Sequence, residues 1–155
     1  MLVMLAAPAF ASDNDSCAAE SSVPDVQFTL TLKDHGAVFE YGEIVPFVQS
    51  FTSRAKNRYW ADVRNYDRSG RLDIETYCVE PEPPDPLASY FRSGCFFGGG
   101  LGSTHALDAT PFTAEADLNE WRTLEAGRYR VYAISHRVWR PPDPHEQTPF
   151  DPSQR

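Results

Sequence analysis

Val26-Gln-Phe-Thr-Leu-Thr-Leu-Lys33 is the stretch of this sequence that decides the fold. Its apolar and polar residues alternate without interruption, and a period of two places one set on each face of a β-strand. The alternation returns along the chain as far as Val138. It predicts about six strands, which are Val26 to Lys33, Ile44 to Ser53, Arg58 to Tyr66, Arg71 to Val79, Phe112 to Leu118 and Arg128 to Val138. Strands with polar outer faces favour antiparallel sheets, and two such sheets packed face to face form a β-sandwich.

The phase of each strand predicts which side chains enter the core. The inward sets are Val45, Phe47 and Phe51; Leu72, Ile74 and Cys78; Phe112, Ala114, Ala116 and Leu118; and Tyr129, Val131 and Ala133. This phase puts Asp73, Glu75 and Tyr77 on an outer face. The turn from Asp67 to Gly70, with Gly70 where positive φ is wanted, predicts a hairpin.

A local motif, Leu124-Glu-Ala-Gly-Arg-Tyr-Arg-Val131, indicates the topology. Gly127 stands two residues before Tyr129 at the start of a strand. This spacing is typical of the tyrosine corner of immunoglobulin-like domains, in which the phenol hydrogen-bonds to the backbone upstream. The alternative is an ordinary β-turn before a strand that carries an aromatic residue. The motif predicts an antiparallel immunoglobulin-like β-sandwich of six to seven strands over residues 25–139.

The chain resembles a family of uncharacterised secreted bacterial immunoglobulin-like domains over roughly Val26 to Val138. The resemblance rests on Phe28-Thr-Leu-Thr-Leu-Lys33, Tyr66-Asp-Arg-Ser-Gly-Arg71, Asp85-Pro-Leu-Ala-Ser-Tyr-Phe91, Gly98-Gly-Gly-Leu101, Asp117-Leu-Asn-Glu-Trp121 and Gly127-Arg-Tyr-Arg-Val-Tyr132. It implies the fold and an exported location, but no activity. A weaker likeness to the β-sandwich domain of the intracellular proteinase inhibitors of bacilli rests on the Asp67 to Gly70 turn and the strand at Tyr129. It concerns the fold alone.

The C-terminal region departs from that family. Another strand is expected after Val138, but Pro141-Pro-Asp-Pro144 begins a proline-rich tail over residues 140–155. Such a composition predicts an extended or disordered segment. A sandwich without its last strand has an exposed edge that is open to pairing with another chain. The alternative is that the sequence was cut from a longer protein.

The N-terminal region predicts export. Met1 to Phe10 is uncharged and apolar, and Ala9-Phe-Ala11 has the small-x-small pattern of a signal-peptide cleavage site. We therefore expect residues 1–11 to be a signal peptide, followed by a flexible polar segment over residues 12–24. The product would be secreted, periplasmic or held in the cell envelope. The alternative is an apolar N-terminus that packs in the fold; a transmembrane helix needs roughly 20 apolar residues.

Three cysteines agree with an oxidising compartment. Cys78 and Cys95 are expected to form a disulfide, and the alternative is two reduced, buried thiols. Cys17 is left over, and the residues before it lack the apolar position that a lipid-anchor motif requires. No CxxC pair lies near a histidine, so the sequence predicts no zinc site.

Charge and motifs argue against several function classes. The net charge of −8 opposes binding to nucleic acid and to anionic lipid. We find no catalytic residues, no metal ligands at a usual spacing and no cofactor motif. The glycine-rich stretch from Gly98 to Gly102 is not followed by the Gly-Lys-Ser/Thr of a phosphate-binding loop.

Two groups of aromatic residues are candidate ligand contacts. The long segment from Glu80 to Pro111 carries Tyr90, Phe91, Phe96 and Phe97, which form either a binding loop or a satellite core over the sandwich. Trp60, Tyr66 and Tyr77 form either a platform for sugar rings or cross-strand pairs that stabilise the sheet.

The sequence as a whole predicts a non-enzymatic exported accessory or interaction module of the cell envelope. Its partner would be a protein or a polysaccharide at the cell surface, with no cofactor, no nucleic acid and no transmembrane segment. One alternative is a carbohydrate-binding module that uses Trp60 and Tyr77. Another is a proteinase inhibitor that acts through residues 80–111.

Overall fold

The computed structural model describes residues 2–5, 17, 23–33, 36–66, 71, 74–93 and 102–141. This part of the chain is mostly β, as the alternation predicted. Its elements are β1 (Leu2–Leu5), β2 (Val26–Leu32), β3 (Val38–Phe39), β4 (Pro46–Ser53), β5 (Trp60–Asp62), β6 (Glu75–Glu80), α1 (Ala88–Ser93), β7 (Thr104–Ala106), β8 (Phe112–Asp117), β9 (Arg128–Ser135) and β10 (Val138–Trp139). A 3₁₀ turn over Leu118–Glu120 follows β8.

The strands form three sheets. The β4 sheet has the strand order β2-β4-β8, the β9 sheet has the order β3-β1-β9-β6, and the small β5 sheet has the order β10-β5-β7. The pairings assigned to these strands are antiparallel, except that β1 runs parallel to β9. The antiparallel sheets expected from polar outer faces are thus confirmed.

The β4 sheet and the β9 sheet share one hydrophobic core. Phe47 of β4 packs in the same cluster as Tyr77 and Val79 of β6 and Val131 of β9. The rings of Phe47 and Tyr77 stack with their centroids 6.4 Å apart. A second cluster joins the β4 sheet to the β5 sheet, and its buried members are Phe51, Tyr59, Ala61 and Leu107.

The predicted strands are mostly longer than the observed ones. The strand expected from Arg58 to Tyr66 is only Trp60–Asp62. It ends there because the Asp62 carboxylate accepts a hydrogen bond from the backbone N–H of Arg64, 2.9 Å away, which turns the chain. The inward sets predicted for β4, β8 and β9 do face the cores.

The face of β6 differs from the prediction. Tyr77 pairs with Ala133, and Val79 pairs with Val131, across the antiparallel ladder with β9. Directly opposite residues share a face, so the inward phase of β9 also turns Tyr77 inward, and the Tyr77 side chain is only 2% exposed. Cys78 therefore points away from the core between the sheets, and the predicted outer-face position of Tyr77 is corrected.

The same change of face explains the disulfide. Cys78 is bonded to Cys17, with the two Cα atoms 6.1 Å apart, which corrects the predicted pairing with Cys95. Cys78 lies on the outer face of β6, and Cys17 of the N-terminal segment meets it there. Cys95 lies outside the described residues, as do Gly70, Phe96 and Phe97.

The turn before β9 has the geometry of a tyrosine corner. The Tyr129 hydroxyl accepts a hydrogen bond of 3.3 Å from the backbone N–H of Glu125. Gly127 lies against the phenol ring, and a Cβ atom at this position would lie 3.3 Å from Cε2 of Tyr129. The turn is therefore closed by Tyr129, and Gly127 lets the ring approach the backbone.

Candidate functional site

An open groove of about 1000 Å³ lies between the β4 sheet and the β9 sheet. Two runs of consecutive residues line it, residues 23–28 at the start of β2 and residues 133–136 at the end of β9. Successive residues of a strand point to opposite faces. Consecutive lining residues therefore mean that backbone edges border this space, and we call it the edge groove.

Among the strands that the structure describes, each bordering strand has an edge next to the groove that is wholly or partly unpaired. β2 is the outermost strand of the β4 sheet. β9 pairs with β6 along one edge from Arg130 to Ser135, but on its other edge it pairs with β1 only at Arg128, Tyr129 and Arg130. In the described part of the chain no strand pairs with Val131–Ser135 on that edge. The sequence predicted such an edge from the absence of a strand after Val138.

The floor of the edge groove is apolar. The rings of Phe28 and Phe51 stack there with their centroids 4.9 Å apart, and Phe51 is buried. Val26, Ala133 and Val138 are half-buried at the sides. The space therefore offers apolar contact below and backbone hydrogen-bonding groups on either side.

Polar and ionisable side chains also line the edge groove. Asp25, Arg54 and His136 line the groove. The Asp25 carboxylate also forms an ion pair of 3.1 Å with Arg58, which lies beside the lining. Because the side chains of this ion pair are 40–45% exposed, water screens it and it contributes little to stability. These groups make part of the lining polar.

The aromatic residues of the long loop have different roles. Tyr90 of α1 is 54% exposed. Phe91 is half-buried, and the guanidinium of Arg71 lies between its ring and that of Trp121, at 4.5 and 4.7 Å from the ring centroids. Such cation–π contacts, together with the burial, attach α1 to the body of the protein.

Asp85 strengthens this attachment. Arg71 donates hydrogen bonds of 2.8 and 3.0 Å to the two oxygens of the Asp85 carboxylate. Burial opposes ionisation of Asp85, but the hydrogen bonds from Arg71 and from the Leu87 backbone outweigh it and hold its pKa below the usual value. For Phe91, the structure therefore favours the satellite core over a free binding loop.

Trp60, Tyr66 and Tyr77, which the sequence offered either as a sugar platform or as cross-strand pairs, do not form one surface. Tyr77 lies in the core and its hydroxyl contacts the side-chain amide of Gln49. Tyr66 is 58% exposed and its hydroxyl lies 3.2 Å from the Glu120 carboxylate. Trp60 is half-buried and stands directly opposite Trp139, which is 39% exposed. Trp139 was not among the predicted aromatic contacts because the predicted strand ended at Val138.

A buried ion pair was also missed. Arg137 donates a 2.7 Å hydrogen bond from Nε to the Glu75 carboxylate, and both side chains are at most 5% exposed. The Arg137 guanidinium also donates to the backbone carbonyls of Asp62 and Arg64, at 2.7 and 2.6 Å. Burial raises the pKa of Glu75 although Arg137 opposes this shift. The pair ties β6 to β5 and to the turn after β9.

Within the described ranges, no three His, Cys, Asp or Glu residues are grouped closely enough to hold a metal ion. The helices described there are all too short or too polar to span a membrane. Comparison of the chain with family models, with curated proteins and with solved structures finds no match.

Proposed function

We propose that this chain is an exported, non-enzymatic interaction module of the cell envelope that holds an extended segment of a partner protein in the edge groove. The observation that carries this proposal is the pair of unpaired strand edges, on β2 and on Val131–Ser135, that border one apolar space. An extended segment can pair with such an edge through its backbone and place alternate side chains on the apolar floor.

An immunoglobulin-like sandwich that lacks its last strand would explain the open edge. Two features support it, the corner at Tyr129 and the core shared by the two large sheets. In such a sandwich, the strand after the corner strand normally returns along its free edge. Here the chain leaves β9 and forms β10, which pairs with β5 instead. Within the described ranges, the edge of β9 from Val131 to Ser135 is therefore left for another segment.

Export is supported by two independent features. Ala9-Phe-Ala11 has the small residues that a signal-peptide cleavage site requires. The disulfide between Cys17 and Cys78 is compatible with an oxidising compartment outside the cytoplasm. The net charge of −8 makes a nucleic-acid partner unfavourable.

A synthetic peptide tests the proposal. We define the alternating peptide as about ten residues of alternating Val and Thr with terminal lysines, long enough to span the edge of β9. We expect it to bind the full chain in a calorimetric titration. The same peptide with N-methylated backbone amides is expected to bind much more weakly, because it keeps the side chains but loses the hydrogen-bond donors.

A charge in the edge groove should interfere with this binding. Val26→Lys is expected to weaken binding by about tenfold, because the ammonium group would enter an apolar space. Ile44→Lys is the matched control, since Ile44 is 58% exposed and does not line the groove. Equal binding by the two variants, or by the two peptides, would contradict the proposal.

A carbohydrate-binding module is the rival proposal, and one observation favours it. Trp60 and Trp139 stand opposite each other on β5 and β10, so their indole rings lie on the same face of the β5 sheet. Retention on a cell-wall or plant polysaccharide that is lost in Trp139→Ala but kept in Val26→Lys would replace the first proposal with this one.

A further inference from the structure

We propose that β1 is a removable occupant of the acceptor edge of β9, and that loss of Leu2–Leu5 opens the whole of Arg128–Ser135 to an apolar strand of a second protein. This inference rests on the proposed function, because it concerns the same edge. To the proposed function it adds the length of the partner strand, set by Arg128–Ser135, and the removal of β1 as the step that opens the edge.

The position of β1 is the first support. β1 lies between β3 and β9, with Val3 opposite Arg128 and Val38, and Leu5 opposite Arg130. The edge groove begins farther along the same edge of β9, at Ala133. Leu2–Leu5 therefore occupies one end of a continuous acceptor edge, and the groove is its open end.

The pairing of β1 is short and of the less stable kind. β1 is in register with only three of the eight residues of β9. It also runs parallel to β9, and parallel pairs are slightly less stable per residue than antiparallel pairs. A longer strand that runs antiparallel to β9 could use the whole edge, so it would have an energetic advantage over β1.

The disulfide determines what would leave. The predicted cleavage site after Ala11 lies between β1 and Cys17. Cys17 is covalently bonded to Cys78 in β6, so the chain from Cys17 onward stays attached to the β9 sheet after a cut at Ala11. Such a cut would release residues 1–11, which include β1, and it would couple removal of the N-terminal segment to opening of the edge.

The neighbours of β1 indicate the chemistry of the partner strand. Phe39 is buried in the first core cluster, and Tyr129 packs against that cluster. A strand inserted between β3 and β9 would have every second residue on the same face as these two rings. The partner is therefore an extended segment with apolar residues at alternate positions.

A double substitution in the full chain tests the proposal. Consecutive residues of a strand direct their backbone N–H groups to opposite neighbours, so Val3→Pro with Met4→Pro removes one donor toward β3 and one toward β9. The probe is a fluorescently labelled synthetic peptide of residues 1–7. We expect the double variant to bind it about tenfold more tightly than the wild type, because the resident strand no longer competes.

Two further proteins keep the test decisive. Ala9→Pro is the matched control, because it adds a proline to the same segment outside β1 and should bind like the wild type. In the second protein, a site for a specific protease is inserted between Ala11 and Ser12, and the chain is folded before it is cut. The labelled peptide is expected to bind after the cut and not before it, even if the double variant does not fold.

The outcomes separate this inference from the proposed function. Equal affinity of the probe for the wild type, the double variant and the cut protein would overturn the inference. The same conclusion would follow if none of them bound the probe while the alternating peptide still bound. Failure of the alternating peptide to bind any form, including the cut protein, would instead overturn the proposed function.

Discussion

Replacement of Arg137 with methionine is expected to lower the free energy of unfolding by about 3–5 kcal/mol. The substitution removes the partner of the buried Glu75 carboxylate, and it also removes the donors to two backbone carbonyls, at Asp62 and Arg64. A buried group that loses its partner bears the cost of desolvation without compensation. Chemical denaturation monitored by circular dichroism measures the loss.

Arg130→Met, in β9, is the matched control. Arg130 pairs with Glu80 at 3.6 Å, but both side chains are at least one-third exposed, so this change is expected to cost less than about 1 kcal/mol. A similar loss in the two variants would mean that the pair of Arg137 and Glu75 is not buried as described.

The pH dependence gives a second signature of the same pair. In the folded protein, burial raises the pKa of Glu75, so the folded state binds this proton more tightly than the unfolded state. Stability is then lost as the pH rises from the usual pKa through the raised one. Without Arg137 the raised pKa should move higher still. The loss of unfolding free energy in Arg137→Met is therefore expected to shrink as the pH is lowered from neutral toward the range between the usual and the raised pKa of Glu75.

Replacement of Cys17 with serine is the second large effect, and we expect it to cost about 4 kcal/mol. The Cys17–Cys78 disulfide spans 61 residues, and closing a loop of this size removes much of the entropy of the unfolded chain. Denaturation under non-reducing conditions measures the change. Cys95→Ser is added to the variant, so that Cys78 cannot form a new disulfide with Cys95.

The single variant Cys95→Ser is the control for the pairing. It should be as stable as the wild type, because the disulfide joins Cys78 to Cys17. Destabilisation by Cys95→Ser, with no further loss when Cys17→Ser is added to it, would restore the pairing that the sequence predicted.

Alternation predicted the strands well where each strand has one polar face. In β2, every second residue from Val26 to Leu32 is half-buried, while the residues between them, such as Gln27 and Thr29, are exposed. The period of two is therefore visible in the sequence. In β6 the alternation pointed to the wrong face, because it put Glu75 and Tyr77 outside. Its two faces are both covered, one by the core and one around the disulfide at Cys78, so polarity does not identify the inward face.

The edge groove could be predicted only in part. The proline-rich tail indicated that a strand was missing after Val138, and this led to the expectation of an open edge. No local pattern could show that β2 would border the same space, because β2 and β9 meet through tertiary packing. The N-terminal strand was equally hidden, since its apolar residues suit both a signal peptide and a strand.

The buried ion pair was also not predictable from the sequence. Glu75 and Arg137 are 62 residues apart. Each is a charged residue, and charged residues usually lie at the surface. Only the register between Glu75 and Ser135 brings them together at the end of β9. A sequence pattern records local periodicity, and it does not record such a long-range pairing.

Hydrogen–deuterium exchange at β9 tests the central claim most directly. In the full chain alone, the outward-facing amides within Val131–Ser135 should exchange quickly, because no strand pairs with them in the described structure. Addition of the alternating peptide should slow their exchange and leave the amides that face β6 unchanged. Slow exchange of those outward amides before the peptide is added, or no change after it, would contradict the account.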